Sequence, residues 1–243
     1  MTRSKVKSLE LRPIAANDAN AIIKVLHYSG KVVRNSQVHF GVFLDGKCGG
    51  AIQFGPSLDK GKIQGLVRDT KWNEFTELNR FALANWMPRN SESRAISIAM
   101  KLMKRRYPFL KWVVSFANAT LCGSGTIYKA AGFTLTGIFS SQNLARFPDG
   151  SLMHKMTLES APTKPRKELK WKSYFEVTGN KYDFEKYVAY RGGELIPGFQ
   201  LRYIYFLEPE YRNKLTVPIV PYSEIEVFGA GMYLGKPIGP KRN

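Results

Sequence analysis

The sequence predicts an α/β fold, an α+β mixed sheet with helices on its faces. Three observations predict it. Extended and helical patterns alternate along the first 160 residues. Ala95, Ile98, Ala99, Leu102 and Met103 recur at i, i+3, i+4, i+7 and i+8, which marks an amphipathic helix. Asp45-Gly46 and Pro148-Asp149-Gly150 each join two runs of β-forming residues, as hairpin turns do. The expected order is β-α-β-β-β-α-β-α-β-β, and that alternation calls for helices packed on a mixed sheet.

After an opening strand, Ala21, Ile22, Val25 and Leu26 repeat at helical spacing behind Asn17 and Asp18, two good capping residues. Residues 38–44 are rich in β-formers, and residues 48–54 return across Asp45-Gly46. Residues 75–84 form a further extended segment before the long helix, which Tyr107-Pro108 ends. Residues 111–117 make the fifth strand of this order, and residues 126–131 a short helix closed by Gly132. Residues 133–140 and 152–158 form a last hairpin.

Ala161-Pro162-Thr163-Lys164-Pro165-Arg166-Lys167 breaks both patterns, so residues 161–170 read as a linker after a domain of residues 1–160. Residues 171–243 then read as an aromatic, basic extension packed on that domain. Within it residues 200–206 alternate like a strand, and Pro218 and Pro221 confine residues 215–222 to an edge or an irregular arm.

The chain carries 37 Lys+Arg against 19 Asp+Glu, a net charge of +18 over 243 residues. Charge of that size attracts polyanions and points to nucleic acid, with solubility as the alternative. No run of 18 apolar residues occurs and no apolar stretch follows the basic N-terminus, so neither a membrane span nor a signal peptide is expected. Two cysteines, Cys48 and Cys122, suit reduced thiols in a cytoplasmic protein.

The element order, with a helix launched from a polar loop after the fourth strand, resembles the GNAT acyltransferase fold. In that fold the fourth and fifth strands splay apart and the acyl donor lies between them. Its pyrophosphate rests on the amides that open the following helix, where unpaired N–H groups attract phosphate. The corresponding loop here is Arg89-Asn90-Ser91-Glu92-Ser93, without the glycine that the usual signature carries.

Four motifs then occur in order: His27-Tyr28-Ser29, Glu77-Leu78-Asn79-Arg80, Ser115-Phe116-Ala117-Asn118 and Gly125-Thr126-Ile127-Tyr128-Lys129-Ala130. With Leu201-Arg202-Tyr203-Ile204-Tyr205-Phe206 and Leu215-Thr216-Val217-Pro218 they resemble the phage Mom family of DNA-modification proteins, over most of the chain. The resemblance implies an enzyme, a transferase that converts adenine to its carbamoylmethyl form at the exocyclic amine and so blocks host restriction. It also implies iron, and links the family to acetyl-CoA.

On that resemblance His27, Tyr28 and Tyr128 are the expected iron ligands, with Tyr128 also catalytic as a hydroxyl facing the leaving group. Arg80 is expected to contact donor or phosphate, together with Arg89, Asn90, Ser91, Ser93 and Ser124. On a regular strand Glu77 and Arg80 would face opposite sides, leaving Glu77 either a general base or a structural partner of Arg80 or Lys111. Asn118 stands where relatives are expected to have Asp; an amide accepts no proton, so substrate hydrogen bonding is its role. Without the resemblance His27 reads as a helix-end histidine, Tyr128 as a core ring, and Ser124 and Asn90 or Ser91 as helix caps. His39 and His154 read as strand residues, and Asp149 as a turn residue.

Double-stranded DNA is the expected partner. Arg94, Lys101 and Arg105 line one side of the long helix, flanked by Lys104 and Arg106. Lys172, Arg202, Arg212 and Lys214 interleave with Tyr174, Tyr203, Tyr205 and Tyr211, a pattern suited to tracking a backbone and stacking an unstacked base. Glycyl-tRNA is an alternative donor, because N–CO–CH2–NH2 and N–CH2–CO–NH2 are isomers. An ordinary N-acetyltransferase acting on a protein or small amine, and a non-catalytic DNA-binding protein, are the rival readings.

Overall fold

The computed structural model describes residues 8–159, 171–233 and 236. The expected linker at 161–170 lies outside the described residues. Eight strands and eight short or medium helices follow one another among the described residues. They are β1 (Leu9–Pro13), α1 (Ala16–Leu26), β2 (Val38–Leu44), β3 (Lys47–Gly55), α2 (Lys60–Gln64), β4 (Phe75–Leu83), α3 (Ser91–Arg106), β5 (Trp112–Asn118) and α4 (Thr126–Ala130). Then come β6 (Thr134–Arg146), β7 (Leu152–His154), α5 (Lys155–Glu159), α6 (Tyr174–Thr178), α7 (Phe184–Tyr190), β8 (Glu194–Phe206), a 3-10 turn (Pro209–Lys214) and α8 (Glu224–Val227). No helix of the described residues is long and apolar enough to cross a membrane.

The chain divides into two units. The first holds the described residues through Ala117 with Gly125–Gly137 and Leu201–Tyr222; the second holds Asn118–Ser124, Ile138–Gln200 and the residues from Ser223 onward. The division therefore does not fall at 161–170: each unit contains residues from both sides of that segment. The reason is topological. In the first unit the strand order is β1-β2-β3-β4-β5-β8-β6, so a strand from the far end of the sequence sits between β5 and β6.

β1, β2, β3 and β4 pair antiparallel in succession, and β4 pairs β5 in parallel. Asp45 and Gly46, at φ 50° and 83°, make the tight turn between β2 and β3 that the sequence predicts. α1 lays Ala19 and Ile23 on Ala51 of β3 and Ala82 of β4. The expected stripe is thus rotated: Ile22 and Leu26 are half-buried, but Ala21 and Val25 are exposed. Asn17 and Asp18 fall in the first helical turn, and Ala15 is the capping residue. In α3 the buried face is Ser91, Ala95, Ile96, Ala99, Met100 and Met103, which leaves the predicted Ile98 and Leu102 at its margin.

A second core of this unit gathers Leu66, Val67, Phe75, Trp112, Val114, Ile204 and Tyr211, with Phe75 and Trp112 stacked at 4.6 Å. Leu215 bridges to Val67, and Val220 donates to the carbonyl of Leu135, so the proline-rich arm is extended and irregular as expected.

In the second unit β6 pairs antiparallel with β7 across Phe147-Pro148-Asp149-Gly150. The predicted strand 152–158 ends at His154, and Lys155–Glu159 is helical instead. Its Leu158 joins Ala145, Phe147, Tyr174, Phe184, Tyr187 and Val188 in a small core. That apolar demand, together with the Ser173 capping box and the Asp183 cap, accounts for helices α6 and α7, which composition alone did not reveal.

Candidate active site

The parallel pairing of β4 and β5 covers Phe75↔Trp112 to Leu78↔Ser115 and then stops, although β4 runs on to Leu83. The two strands part at the residues that the motifs had singled out. On the other side of β4 the register with β3 shifts: Leu78 faces Phe54 and Arg80 faces Gln53, so Asn79 is an extra, bulged residue. The bulge changes the parity of the strand. Glu77 and Arg80, expected on opposite faces, share one face, because their partners Gly55 and Gln53 are two apart.

α1 covers that face at Ala51 and Ala82 and ends at His27, whose N–H still donates to the Ile23 carbonyl at 2.9 Å. The helix stops because His27 turns extended, and Gly30 at φ 59° returns its N–H to the His27 carbonyl. Ser29 closes on the imidazole twice: its N–H donates to Nδ1 at 3.2 Å, and its hydroxyl lies 2.8 Å from the same nitrogen. A backbone N–H can only donate, so Nδ1 is the acceptor and the ring proton sits on Nε2. The Tyr28 ring lies 4.2 Å from the imidazole, centroid to centroid, and is 54 % exposed.

Burial, and then the positive Arg80 nearby, lower the His27 pKa to about 4. At neutral pH the imidazole is uncharged and presents Nε2–H. Arg80 donates from Nε to the Lys31 carbonyl at 3.2 Å and from Nη1 to the Asn79 carbonyl at 2.7 Å. Burial raises the Glu77 carboxyl above its usual range, against the opposing pull of Ser57, Asn79 and Arg80. Asn79 in turn accepts from the Ser36 hydroxyl at 3.1 Å, and Asn35 donates to the Pro56 carbonyl at 2.8 Å. Gly55 makes this approach possible, since a Cβ there would stand 2.5 Å from the Asn35 carbonyl oxygen and 2.7 Å from Asn79 Oδ1. A neutral imidazole, a guanidinium and a desolvated carboxylate thus meet beside the strand opening, within one unit. Ser29, Ser57 and Asn79 complete the cluster; the first and last lay inside quoted motifs but carried no assignment.

Tyr128 belongs to an aromatic stack. It is buried, lies flat on Tyr203 at 5.0 Å, and meets Phe133 edge-on at 5.4 Å. Asn118 and Ser124 fall in the second unit. Asn118 Oδ1 accepts from the N–H groups of Thr120 and Leu121, so its amide oxygen closes a turn. Ser124 is not the helix cap: Gly125, at φ 65°, holds that position in α4.

At the start of α3, Arg89 and Asn90 are exposed, and Asn90 caps by position only, with φ 67° and no side-chain bond. Its carbonyl accepts from the Ser93 hydroxyl at 3.3 Å. The Ser91 hydroxyl is buried with no hydrogen-bond partner among the described residues, in the first turn of a long helix.

Iron finds no support in a cluster of the usual acidic, thiol or imidazole ligands. Among the described residues no group of three or more His, Cys, Asp and Glu could hold a metal ion. His27 Nδ1 is engaged by Ser29, which leaves Nε2 as the ring nitrogen open to a ligand.

The residues expected to face nucleic acid divide into an exposed set and a buried one. Arg94, Lys101, Lys104, Arg105 and Arg106 are all exposed along α3. Of the interleaved aromatics, Tyr174, Tyr203 and Tyr211 are core rings and cannot stack on a base, because the inward phase of β8 and the two small cores claim them. Arg202 is tied to Thr136 through Nε and Nη2, and Lys214 pairs with Asp69. His39 lies against Gln53 and His154 against the Met156 N–H, and Asp149 closes its turn through Ser151 and pairs with Arg191.

Among solved structures the chain is similar to the ribosomal-protein-S18-alanine N-acetyltransferase of Escherichia coli, with TM-score 0.44 and 11 % identity over 83 % of this chain and 95 % of that one. It is similar to an IAA acetyltransferase from Bacillus cereus, with TM-score 0.44 and 8 % identity over 82 % of this chain and 99 % of that one. In sequence it is 32 % identical to Methylcarbamoylase mom of Escherichia phage Mu over 213 residues, 88 % of this chain and 81 % of that protein. The Mom protein family model matches residues 8–224. The chain belongs to the Mom protein family.

Proposed function

We propose that this protein is a DNA-modifying transferase that places a carbamoylmethyl group on the exocyclic amine of adenine, shielding phage DNA from host restriction. The observation that carries the reading is the cluster of His27, Glu77 and Arg80 where β4 and β5 part, in a chain 32 % identical to a methylcarbamoylase. The adenine amine is a weak nucleophile, since its lone pair is delocalised into the ring. As its nitrogen bonds to the donor carbon it must lose a proton. Glu77, with its carboxyl pKa raised by burial, is suited to accept that proton. Arg80 is suited to an anionic donor group, and His27 offers a hydrogen bond from Nε2.

The start of α3, with the unpartnered Ser91 hydroxyl, suits the phosphates of an acyl-CoA donor. A simple acetyl transfer would leave an amide and would lack the second nitrogen of the product. A glycyl donor such as glycyl-tRNA supplies that nitrogen, and rearrangement of the glycyl isomer balances the atoms.

The test is mass spectrometry of nucleosides from the DNA of bacteria expressing the protein, fed labelled acetate or labelled glycine. A carbamoylmethyladenine peak that His27→Ala, Glu77→Gln and Arg80→Gln remove is expected, and the label identifies the donor. Unmodified adenine with soluble, folded protein overturns the proposal.

A further inference from the structure

Leu58 is 91 % exposed, the most exposed of the large apolar side chains in the described residues, yet its surroundings are firmly built. Ser57 before it is buried and stands against Glu77. Asp59 after it caps α2 by accepting from the Lys62 N–H, and pairs with Lys62 Nζ at 3.1 Å. The loop that holds Pro56 through Asn35 also accepts from Arg80 through the Lys31 carbonyl. One backbone frame therefore fixes both the proposed site and the leucine that projects beside it.

The chain that flanks this projection is basic in sequence. Between Pro56 and Trp72 four cations (Lys60, Lys62, Arg68 and Lys71) face two acids (Asp59 and Asp69), and the neighbouring residues 27–36 add Lys31 and Arg34 with no acid. Trp72 is 53 % exposed under Lys60, whose Nζ lies 4.5 Å from the ring centroid. A protruding aliphatic side chain within a basic rim is what a duplex meets when a protein opens its base stack. An enzyme that works on the adenine amine in a duplex has to take the base out of the stack, and an apolar side chain is well suited to fill the space it leaves.

We propose that Leu58 is that occupant, a wedge that enters the stack of duplex DNA as the target adenine leaves it. This rests on the functional reading above. Leu58 is then a positioning residue: it keeps the adenine out of the helix and within reach of Glu77 and Arg80.

The test compares wild type, Leu58→Ala and Leu58→Met in two measurements: the fraction of carbamoylmethyladenine in plasmid DNA from expressing cells, and affinity for a fluorescein-labelled duplex by anisotropy. The wedge predicts that Leu58→Ala lowers the modified fraction about tenfold or more while Leu58→Met restores it. Duplex affinity stays within about twofold in both variants, since no phosphate contact is lost. Full modification by Leu58→Ala, or a Leu58→Met variant as poor as Leu58→Ala, overturns the wedge. Wild-type DNA without modified adenine overturns the functional reading instead, and the wedge with it.

Discussion

The Arg80 guanidinium stands beside the His27 imidazole and, with burial, keeps that ring uncharged. The folded pKa of about 4 lies below the unfolded value of 6.5, so between those values the unfolded chain binds more protons. His27 therefore stabilises the fold fully above that window, and its contribution is lost as pH falls through it. Urea unfolding from pH 7 down to 4 should show wild type losing stability faster than His27→Gln, whose amide can still accept from Ser29 and does not titrate.

Removing the cation should act in the opposite direction on the same ring. In Arg80→Gln the imidazole pKa rises, because one of the two causes of its depression is gone. Proton NMR titration of His27 reads this shift. A ring that titrates as in wild type would show that Arg80 exerts no field there.

Glu77 sits buried against its own charge, so neutralising it should not harm the fold. Glu77→Gln is expected to unfold at the wild-type temperature or above, since burial of the carboxylate is what raises its pKa. Under the proposed proton-accepting role the modified adenine should nonetheless fall by about 100-fold or more. A variant that keeps full modification removes Glu77 from the chemistry.

Gly125 determines where the ring of Tyr203 can rest. An added Cβ would stand 2.8 Å from Tyr203 Oη and 2.9 Å from Cε2, at a backbone φ of 65°. Gly125→Ala should therefore cost about 2 kcal/mol or more in denaturant unfolding, from the strained backbone and the displaced ring together.

Binding to duplex DNA should weaken steeply with salt, as the charge of +18 requires of a polyanion complex. Replacing Lys31 or Arg34 by Gln should lower the slope of log affinity against log salt by about 1 for each lost phosphate contact. Identical slopes would move the interface away from this loop.

Much of this was legible in the sequence, and the failures have physical causes. Period-2 and period-3.6 patterns gave β2, β3, β4, β5 and α3 close to their observed limits, because each buries one face against the sheet. The bulge at Asn79 was not legible, since one extra residue leaves no trace in alternation. It reversed the predicted facing of Glu77 and Arg80, and with it the division of roles between them. The His27-Tyr28-Ser29 motif was visible, but not that Ser29 would spend its amide and hydroxyl on Nδ1 and so orient the ring. The aromatics at Tyr174, Tyr203 and Tyr211 misled for a related reason. An aromatic beside a lysine looks the same in sequence whether its ring faces water or a core. Leu58 was not legible, because a lone leucine in a polar loop carries no pattern at all.

The placement of β8 between β5 and β6 has a consequence for biosynthesis. When the ribosome has released the chain through β6, a slot in the sheet is still empty, and Trp112 and Val114 lack Ile204 and Tyr211 as neighbours. The nascent protein must keep this seam open while roughly fifty further residues emerge, and only then insert its central strand. A fragment ending near residue 159 should accordingly aggregate rather than behave as a separable enzyme, and late truncations should be far more damaging than their distance from His27 suggests.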